Sequence, residues 1–163
     1  MTRAWLRRCR RQCRLWIVTG IVHVELSTLV HAPRDVVATV YADYEQWPRL
    51  FPTIRAVRPI RQEGPALVLE IDCAEGTVIN TLIARVPESL DLWEIQRHYH
   101  ARLLNRFETV PGGTRLSVRG DIKLKGYAKV LRPFLYVYVR WLIGRCKLEP
   151  VKTAAERRAR HAR

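Results

Sequence analysis

The clearest pattern in the chain is a strict alternation that begins at Val22. One side carries Val22, Val24, Leu26, Thr28 and Val30, and the other carries His23, Glu25, Ser27, Leu29 and His31. A period of two predicts a half-buried β-strand, because successive side chains of a strand point to opposite faces. Pro33 and Asp35 then suit the first turn of a helix. We therefore expect a strand and a short helix, with a second helical turn over 44–50.

Between Ile54 and Lys125 the chain alternates strand-like runs with turn signals. The signals are Glu63-Gly64-Pro65, Glu75-Gly76, Pro87-Glu88-Ser89 and Pro111-Gly112-Gly113. They divide the segment into six predicted strands, at roughly 54–62, 66–73, 77–86, 91–99, 102–110 and 114–124. Short spacings with hairpin-type turns favour one antiparallel meander, because βαβ units would need helices between the strands.

After Gly126 the period changes from that of a strand to that of a helix. An apolar stripe is formed by Val130, Leu131, Phe134, Leu135, Tyr138, Leu142 and Cys146. The spacing predicts a long C-terminal helix that buries this stripe. Pro133 is expected to start or kink the helix, and Pro150 to kink or interrupt it. The final basic run, RRARHAR, is expected to fray into solvent.

Two stretches of sequence resemble one protein superfamily. The first is VHAPRDVVATVYADYEQWPRLFPTI, where the resemblance rests on Ala32, Pro33, Val36, Val37, Asp43, Trp47, Pro48 and Pro52. The second is LLNRFETVPGGTRLSV, with Phe107 where the family often has Trp. Both are similar to the START-like (SRPBCC, Bet v 1-like) superfamily, which includes polyketide cyclase/dehydrase and coenzyme Q-binding proteins.

The resemblance spans about residues 22–149 and implies an α+β helix-grip fold. In that fold a seven-stranded curved antiparallel sheet, with two short helices after strand 1, wraps around a long C-terminal helix and encloses a cavity for one apolar molecule. We accordingly expect a START-like domain over 21–149. A basic extension over 1–20, disordered or partly helical, precedes it, and a basic tail over 150–163 extends the last helix.

The net charge of +14 belongs mainly to the two ends of the chain. Residues 1–20 contribute +6, residues 140–163 contribute +6, and residues 21–139 contribute only +2. Basic tails attract anionic lipid or RNA without reading a sequence, so we expect no specific nucleic-acid partner. Solvated tails are the simplest interpretation. The alternative is peripheral contact with an anionic membrane, in which Trp5, Leu6, Leu15 and Trp16 enter the interface.

Cysteine usage and hydropathy exclude some further classes. Cys9, Cys13, Cys73 and Cys146 lack the spacing of a zinc site, so we expect reduced thiols and no metal or cofactor. No apolar run is long enough to span a membrane. We expect a cytoplasmic monomer or weak dimer, with membrane association as the alternative. The Arg-rich start has some signal-peptide features but no cleavage site, and a translation start after residue 20 is a third interpretation.

Alternation along the predicted strands indicates which side chains face the cavity. The inward apolar set is Leu67, Leu69, Ile71, Val78, Leu82, Val86, Trp93, Ile95, Tyr99, Leu103, Phe107, Leu116, Val118 and Ile122. Asn80, Arg97 and Asn105 share this parity, and buried groups of these types need a partner. Arg97 is the preferred group for holding a carbonyl, carboxylate or quinone oxygen, with Asn105 or Asn80 as a second donor. The alternatives are that Arg97 pairs with an acid such as Asp72 or Glu94, or that a bulge turns it outward.

These considerations predict a set of ligand-binding residues and two possible functions. The set is Arg97, Asn105, Asn80, Trp93, Tyr99, Phe107, Leu82, Leu69, Val118, Trp47, Phe51 and Tyr138. No nucleophile elbow, paired-carboxylate site or phosphate-binding glycine loop is present, and no catalytic residue is predicted. The absence of an inward general base favours a non-enzymatic carrier of a lipid, quinone or polyketide-like molecule. A polyketide aromatase/cyclase or dehydratase using the same cavity is the alternative.

Overall fold

The structure, a computed structural model, describes residues 21–74, 76–126 and 132–162. Its strands are β1 (Ile21–Val30), β2 (Ile54–Glu63), β3 (Ala66–Cys73), β4 (Gly76–Arg85), β5 (Ser89–Ile95), β6 (Tyr99–Val110) and β7 (Gly113–Leu124). Its helices are α1 (Arg34–Ala42), α2 (Trp47–Leu50), α3 (Arg132–Ile143) and α4 (Glu149–His161). A 3-10 turn, Tyr44–Gln46, precedes α2, and a π-helical turn, Gly144–Leu148, joins α3 to α4. The basic extension over 1–20 lies outside the described residues, as do Val130 and Leu131.

The strands form one antiparallel sheet in the order β1-β7-β6-β5-β4-β3-β2. Each strand from β2 to β7 pairs with its neighbour in sequence. Strand β1 forms one edge of the sheet and pairs with β7, from Ile21 opposite Lys123 to Val30 opposite Thr114. Two register shifts interrupt the pairing of β2 with β3 and add local bending. The predicted helix-grip fold, with two short helices after β1 and a long C-terminal helix, is confirmed.

The junction between β1 and β7 is fixed by a close approach and a buried hydrogen bond. A Cβ on Gly113 would lie 2.1 Å from the carbonyl oxygen of Val30, and its φ of +152° also disfavours any other residue. The next residue, Thr114, is fully buried and its hydroxyl donates to the carbonyl of Ala32 at 2.8 Å. The glycine-rich turn predicted at 111–113 therefore also anchors the chain that leads into α1.

The C-terminal helix α4 ends at His161, within the final basic run. The predicted fraying of the last basic run is wrong, because α4 extends to His161 and buries Val151, Ala155 and Ala159 on one face. That face packs against α1 and β1. Glu156 accepts a hydrogen bond from the backbone N–H of His31 at 2.9 Å and ties the helix to the end of β1. Pro150 lies in the first turn of α4, directly after the π-helical turn Gly144–Leu148 that separates α4 from α3.

Candidate ligand-binding cavity

A cavity of about 200 Å³ lies between the concave face of the sheet and helix α3. Its wall is mostly apolar because inward positions of all seven strands and one face of α3 converge there. The apolar lining comprises Val22, Ile54, Ile71, Val78, Leu92, Ala101, Leu103, Ile122, Leu124, Leu135, Val139, Leu142 and Ile143. Enclosure by hydrocarbon side chains is typical of sites that bind an apolar small molecule.

One charged pair interrupts this apolar wall. Nζ of Lys147 lies 3.1 Å from Oε1 of Glu94, and the two side chains are only 20% and 14% exposed. Glu94 lies on the inner face of β5, whereas Lys147 belongs to the π-helical turn after α3. The tyrosine hydroxyl of Tyr99 and the amide Nδ2 of Asn80 each approach the Glu94 carboxylate at 3.5 Å. The sheet and the helix are therefore joined by a polar cluster at the cavity wall.

The charges of this pair favour each other. Burial of the Lys147 ammonium on its own would lower its pKa, but the charge and hydrogen bond of Glu94, with smaller contributions from Tyr41 and Cys73, outweigh burial and raise the pKa. Lys147 therefore stays protonated at neutral pH. It can donate hydrogen bonds into the cavity but is not a nucleophilic amine.

A second polar network lies deeper than the cavity pair. The hydroxyl of Tyr41 donates to Oδ1 of Asn105 at 2.9 Å, and Nδ2 of Asn105 donates to the Leu90 carbonyl at 2.8 Å. The indole N–H of Trp47 donates to the carbonyl of Tyr41 at 2.9 Å. Burial raises the pKa of Tyr41 to about 12, with Lys147 opposing that shift and Glu94 adding to it. Asn105 thus has protein partners for both ends of its amide.

Asn80 differs from Asn105 in this respect. The residue is only 2% exposed and lines the cavity, and no hydrogen-bond partner lies near its carbonyl oxygen Oδ1 within the described residues. Its Nδ2 faces the Glu94 carboxylate, which fixes the orientation of the amide, because the reverse orientation would place two acceptors against each other. A buried acceptor without a partner costs about 1–3 kcal/mol. Asn80 therefore offers a specific place for a donor from a bound molecule.

The predicted ligand-binding residues divide into three groups. Those that line the cavity are Asn80, Tyr99, Trp47, Phe51 and Tyr138. Those buried in the core without lining it are Asn105, Phe107, Leu82, Leu69 and Val118. Phe107 instead meets the ring of Tyr41 edge to face at 6.2 Å, which supports the wall from behind.

Arg97 and Trp93 form the third group, and their predicted inward orientation is wrong. Strand β5 ends at Ile95, and Arg97 is exposed in the turn before β6. The inward residues of β5 are Leu90, Leu92 and Glu94, so Trp93 lies on the outer face, where it is 44% exposed and stacks under the guanidinium of Arg102 at 4.7 Å. Two other residues predicted to face the cavity are also exposed. Ile95 has the same outward parity as Trp93, and Val86 lies just after the end of β4.

Sequence reasoning did not identify Glu94, Gln96, Lys147 or Tyr41 as cavity residues, although all four line it. The one signal for Glu94 was its parity with Leu90 and Leu92, and a carboxylate in an inward position usually argues against such a register. Lys147 lies off the apolar stripe that a regular helical period predicts for this segment. The π-helical turn shifts the helical phase at that point, which a regular period of 3.6 cannot predict.

Comparison with known proteins agrees with this geometry. The model of the family described as polyketide cyclase / dehydrase and lipid transport matches residues 22–156. The chain belongs to this family. No curated protein matches it at a significant level.

Several solved structures share its fold. The di-domain aromatase/cyclase StfQ from the steffimycin biosynthetic pathway matches with a TM-score of 0.74 and 17% identity over 92% of this chain and 54% of that chain, so the present chain spans about half of its length. The ZhuI aromatase/cyclase from Streptomyces sp. R1128 matches with a TM-score of 0.72 and 20% identity over 87% and 98%. A START superfamily protein from Mycobacterium smegmatis matches with a TM-score of 0.62 and 17% identity over 86% and 99%. Identities this low establish the shared fold alone.

Two negative findings apply to the described ranges only. Over 21–74, 76–126 and 132–162, no group of three or more His, Cys, Asp or Glu side chains is arranged to hold a metal ion. In the same part of the chain, no helix is long and apolar enough to cross a membrane.

Proposed function

We propose that the protein binds one neutral, largely apolar molecule in the cavity and holds a hydroxyl group of that molecule at Asn80. The apolar wall supports burial of a hydrocarbon or aromatic body. The family description, which includes lipid transport, supports the same class of ligand. The observation that carries the proposal is the unpartnered, buried Oδ1 of Asn80 at the cavity wall.

The chemistry of the cluster selects the polar end of the ligand. Oδ1 of Asn80 accepts hydrogen bonds and cannot donate them, so its ligand partner must carry an O–H or N–H group. The nearby Lys147 is already balanced by Glu94 at 3.1 Å, which leaves the site close to neutral. A ligand carboxylate would meet the Glu94 charge at short range and lose its own hydration. Alcohols and phenols are therefore favoured over acids of the same size.

A matched series of probes tests this preference. Naphthalene, 2-naphthol and 2-naphthoate share one ring system and differ only in the group offered to the cluster. Isothermal titration should show that 2-naphthol binds about tenfold more tightly than naphthalene, since satisfying one buried acceptor is worth roughly 1.4 kcal/mol or more. The acid should bind least.

The Asn80→Leu variant supplies the control for the series. It removes the acceptor and keeps a side chain of similar size, so naphthalene binding should persist while the advantage of 2-naphthol disappears. Equal affinities for naphthalene and 2-naphthol in the natural protein would show that the hydroxyl assignment is incorrect. Failure of all three probes to bind would contradict the proposal that the cavity is a ligand site.

The second candidate is a polyketide aromatase/cyclase or dehydratase. It is favoured by the family description and by the position of the Lys147 ammonium at an apolar cavity wall. An ammonium there could donate a hydrogen bond to a substrate carbonyl and stabilise the negative charge that develops on its oxygen during an aldol step. Incubation with a linear poly-β-ketone thioester, followed by mass spectrometry, tests this candidate. Cyclised product formed equally by the natural protein and Lys147→Met would exclude this role for Lys147.

A further inference from the structure

Helix α3 presents an unusual number of large apolar side chains to solvent. Phe134, Val137, Tyr138 and Trp141 are 76%, 66%, 43% and 56% exposed. Their spacing of i, i+3, i+4 and i+7 places them on one side of the helix, here called the aromatic face of α3. The predicted burial of Phe134 is therefore wrong. Contiguous exposed apolar surface of this kind usually marks an interaction site.

The aromatic face adjoins the ligand cavity. Tyr138 belongs to both, and Leu135 and Leu142 of the same helix line the cavity wall. The cavity reaches one end of the sheet, where it is lined by Gln96, Tyr99 and Leu124. The pairing of Ile95 with His100 and of Tyr99 with Leu124 brings these strand ends together. The aromatic face therefore flanks one end of the cavity.

The same end of the sheet carries a concentration of basic residues. Arg55, Arg97, Lys123 and Lys125, here called the basic rim, lie at the start of β2, in the β5–β6 turn, at the end of β7 and just after it. Asp72 and Asp121 lie at the same end and offset two of these four positive charges, so the basic rim keeps a positive net charge. Arg140 of α3 lies among groups of both charge signs: His23, Glu25, Arg119 and Asp121.

We propose that the aromatic face of α3 and the basic rim together dock on an anionic lipid bilayer, with that end of the cavity turned toward the lipid. Aromatic side chains partition well into the membrane interface, and lysine and arginine are attracted to anionic headgroups. The arrangement would let an apolar ligand pass between bilayer and cavity without crossing water. It is an interaction beyond ligand binding, and it stands on surface features rather than on the identity of the ligand.

Charge argues against the other occupants of this surface. A second copy of the chain would bring its own basic rim against the first, and like charges at short range disfavour that contact. Residues 1–20 join β1 at this same end, since Ile21 pairs with Lys123. They contain six arginines and no acidic residue, so the basic rim would repel them as well. A negatively charged surface complements all of these groups.

Co-sedimentation of the full-length protein with vesicles tests the proposal. Vesicles of phosphatidylcholine with phosphatidylserine should bind the protein, and vesicles of phosphatidylcholine alone should bind it much more weakly, with the difference shrinking at high salt. The variant Phe134→Ser/Trp141→Ser should bind the anionic vesicles about tenfold more weakly or worse. Because both side chains are exposed, the variant should fold normally, which circular dichroism verifies.

Two full-length control variants separate this surface from others. Trp93→Ser removes a tryptophan of similar exposure from the outer face of the sheet and should bind like the natural protein. Trp5→Ser/Trp16→Ser alters the basic extension and should leave most of the binding in place.

Any of three results would overturn the proposal. The first is equal sedimentation of Phe134→Ser/Trp141→Ser and the natural protein, and the second is loss of binding confined to Trp5→Ser/Trp16→Ser. The third is an absence of vesicle binding together with a dimer, seen by analytical ultracentrifugation, that Phe134→Ser/Trp141→Ser dissociates. That last result would assign the face to a second copy of the chain.

Discussion

Replacing Lys147 with methionine should destabilise the fold more than its position near the end of the chain suggests. The substitution keeps the length of the aliphatic stem and removes the ammonium that lies 3.1 Å from Glu94. The Glu94 carboxylate, 14% exposed, is then left without its cation. Breaking a buried pair by removing one partner costs about 3–5 kcal/mol. Because both side chains keep some contact with water, we expect the lower end of that range, about 3 kcal/mol.

A double variant distinguishes this cause from a simple loss of packing. Glu94→Gln/Lys147→Met removes both charges and retains an acceptor for Asn80 and Tyr99, so it should recover about 2 kcal/mol of the loss. Urea denaturation followed by far-UV circular dichroism measures the free energy of unfolding of all three proteins. A Lys147→Met variant within about 0.5 kcal/mol of the natural protein would show that Lys147 does not stabilise the buried Glu94 carboxylate. So would a double variant less stable than the single one.

Three further predictions concern the core. The pKa of Tyr41 is raised from 10.0 to about 12, so between these pH values the folded protein keeps a proton that the unfolded chain releases. The contribution of Tyr41 to the free energy of unfolding should therefore be fully present below pH 10. It should fall by roughly 2–3 kcal/mol as the pH rises toward 12. The raised pKa of Lys147 lowers stability at high pH in the same direction. In urea denaturation at several pH values, Tyr41→Phe should therefore remove only the part of the decrease in unfolding free energy that comes from Tyr41. Gly113→Ala should lower stability by more than about 3 kcal/mol, because its Cβ would lie 2.1 Å from the Val30 carbonyl oxygen. Gly112→Ala should cost about 1 kcal/mol, because open space surrounds its Cβ and only the backbone conformation is strained. Thermal unfolding measures both losses. Asn105→Leu should lower stability by about 2 kcal/mol but leave the affinity for 2-naphthol unchanged, since both ends of its amide are occupied by protein groups.

The strands could be predicted because their boundaries depend on local chemistry. Glycine and proline at 64–65, 111–113 and similar positions fix the turns wherever the chain must reverse, and the structure places hairpins at these points. The alternation from Val22 to Val30 likewise reflects one buried face, which is a property of the strand itself. These features need no knowledge of distant residues.

The wall of the cavity could not be predicted in the same way. Strand β5 contains two competing apolar stripes, Leu90 with Leu92 and Trp93 with Ile95, and local alternation cannot choose between them. In the structure the inward Glu94 is neutralised by Lys147, which comes from the far end of the chain. Arg97 looked like the polar anchor only as long as β5 was taken to continue past Ile95. The inward position of Glu94 is therefore stabilised by a tertiary contact that local sequence does not show.

The packing of the last helix could not be predicted from the sequence pattern either. Its basic end reads as a solvated tail, yet alanines spaced four residues apart give α4 a narrow face that packs closely on the rest of the fold. Small side chains carry little signal in a hydropathy pattern. The exposed aromatic face of α3 was misread for the opposite reason, since most sides of that helix are apolar and the buried side is set by the sheet.

Native mass spectrometry of the protein purified from its own cells shows whether the cavity holds a molecule and which molecule it is. The natural protein should carry one small molecule. Accurate mass and fragmentation should identify it as a neutral, mainly hydrocarbon or aromatic compound with at least one hydroxyl group. Asn80→Leu should retain much less of the same molecule while remaining folded. A cavity that is always empty and takes up none of the naphthalene probes would show that it is not a ligand site. A bound carboxylic acid held equally by both proteins would show that Asn80 does not select a hydroxyl group.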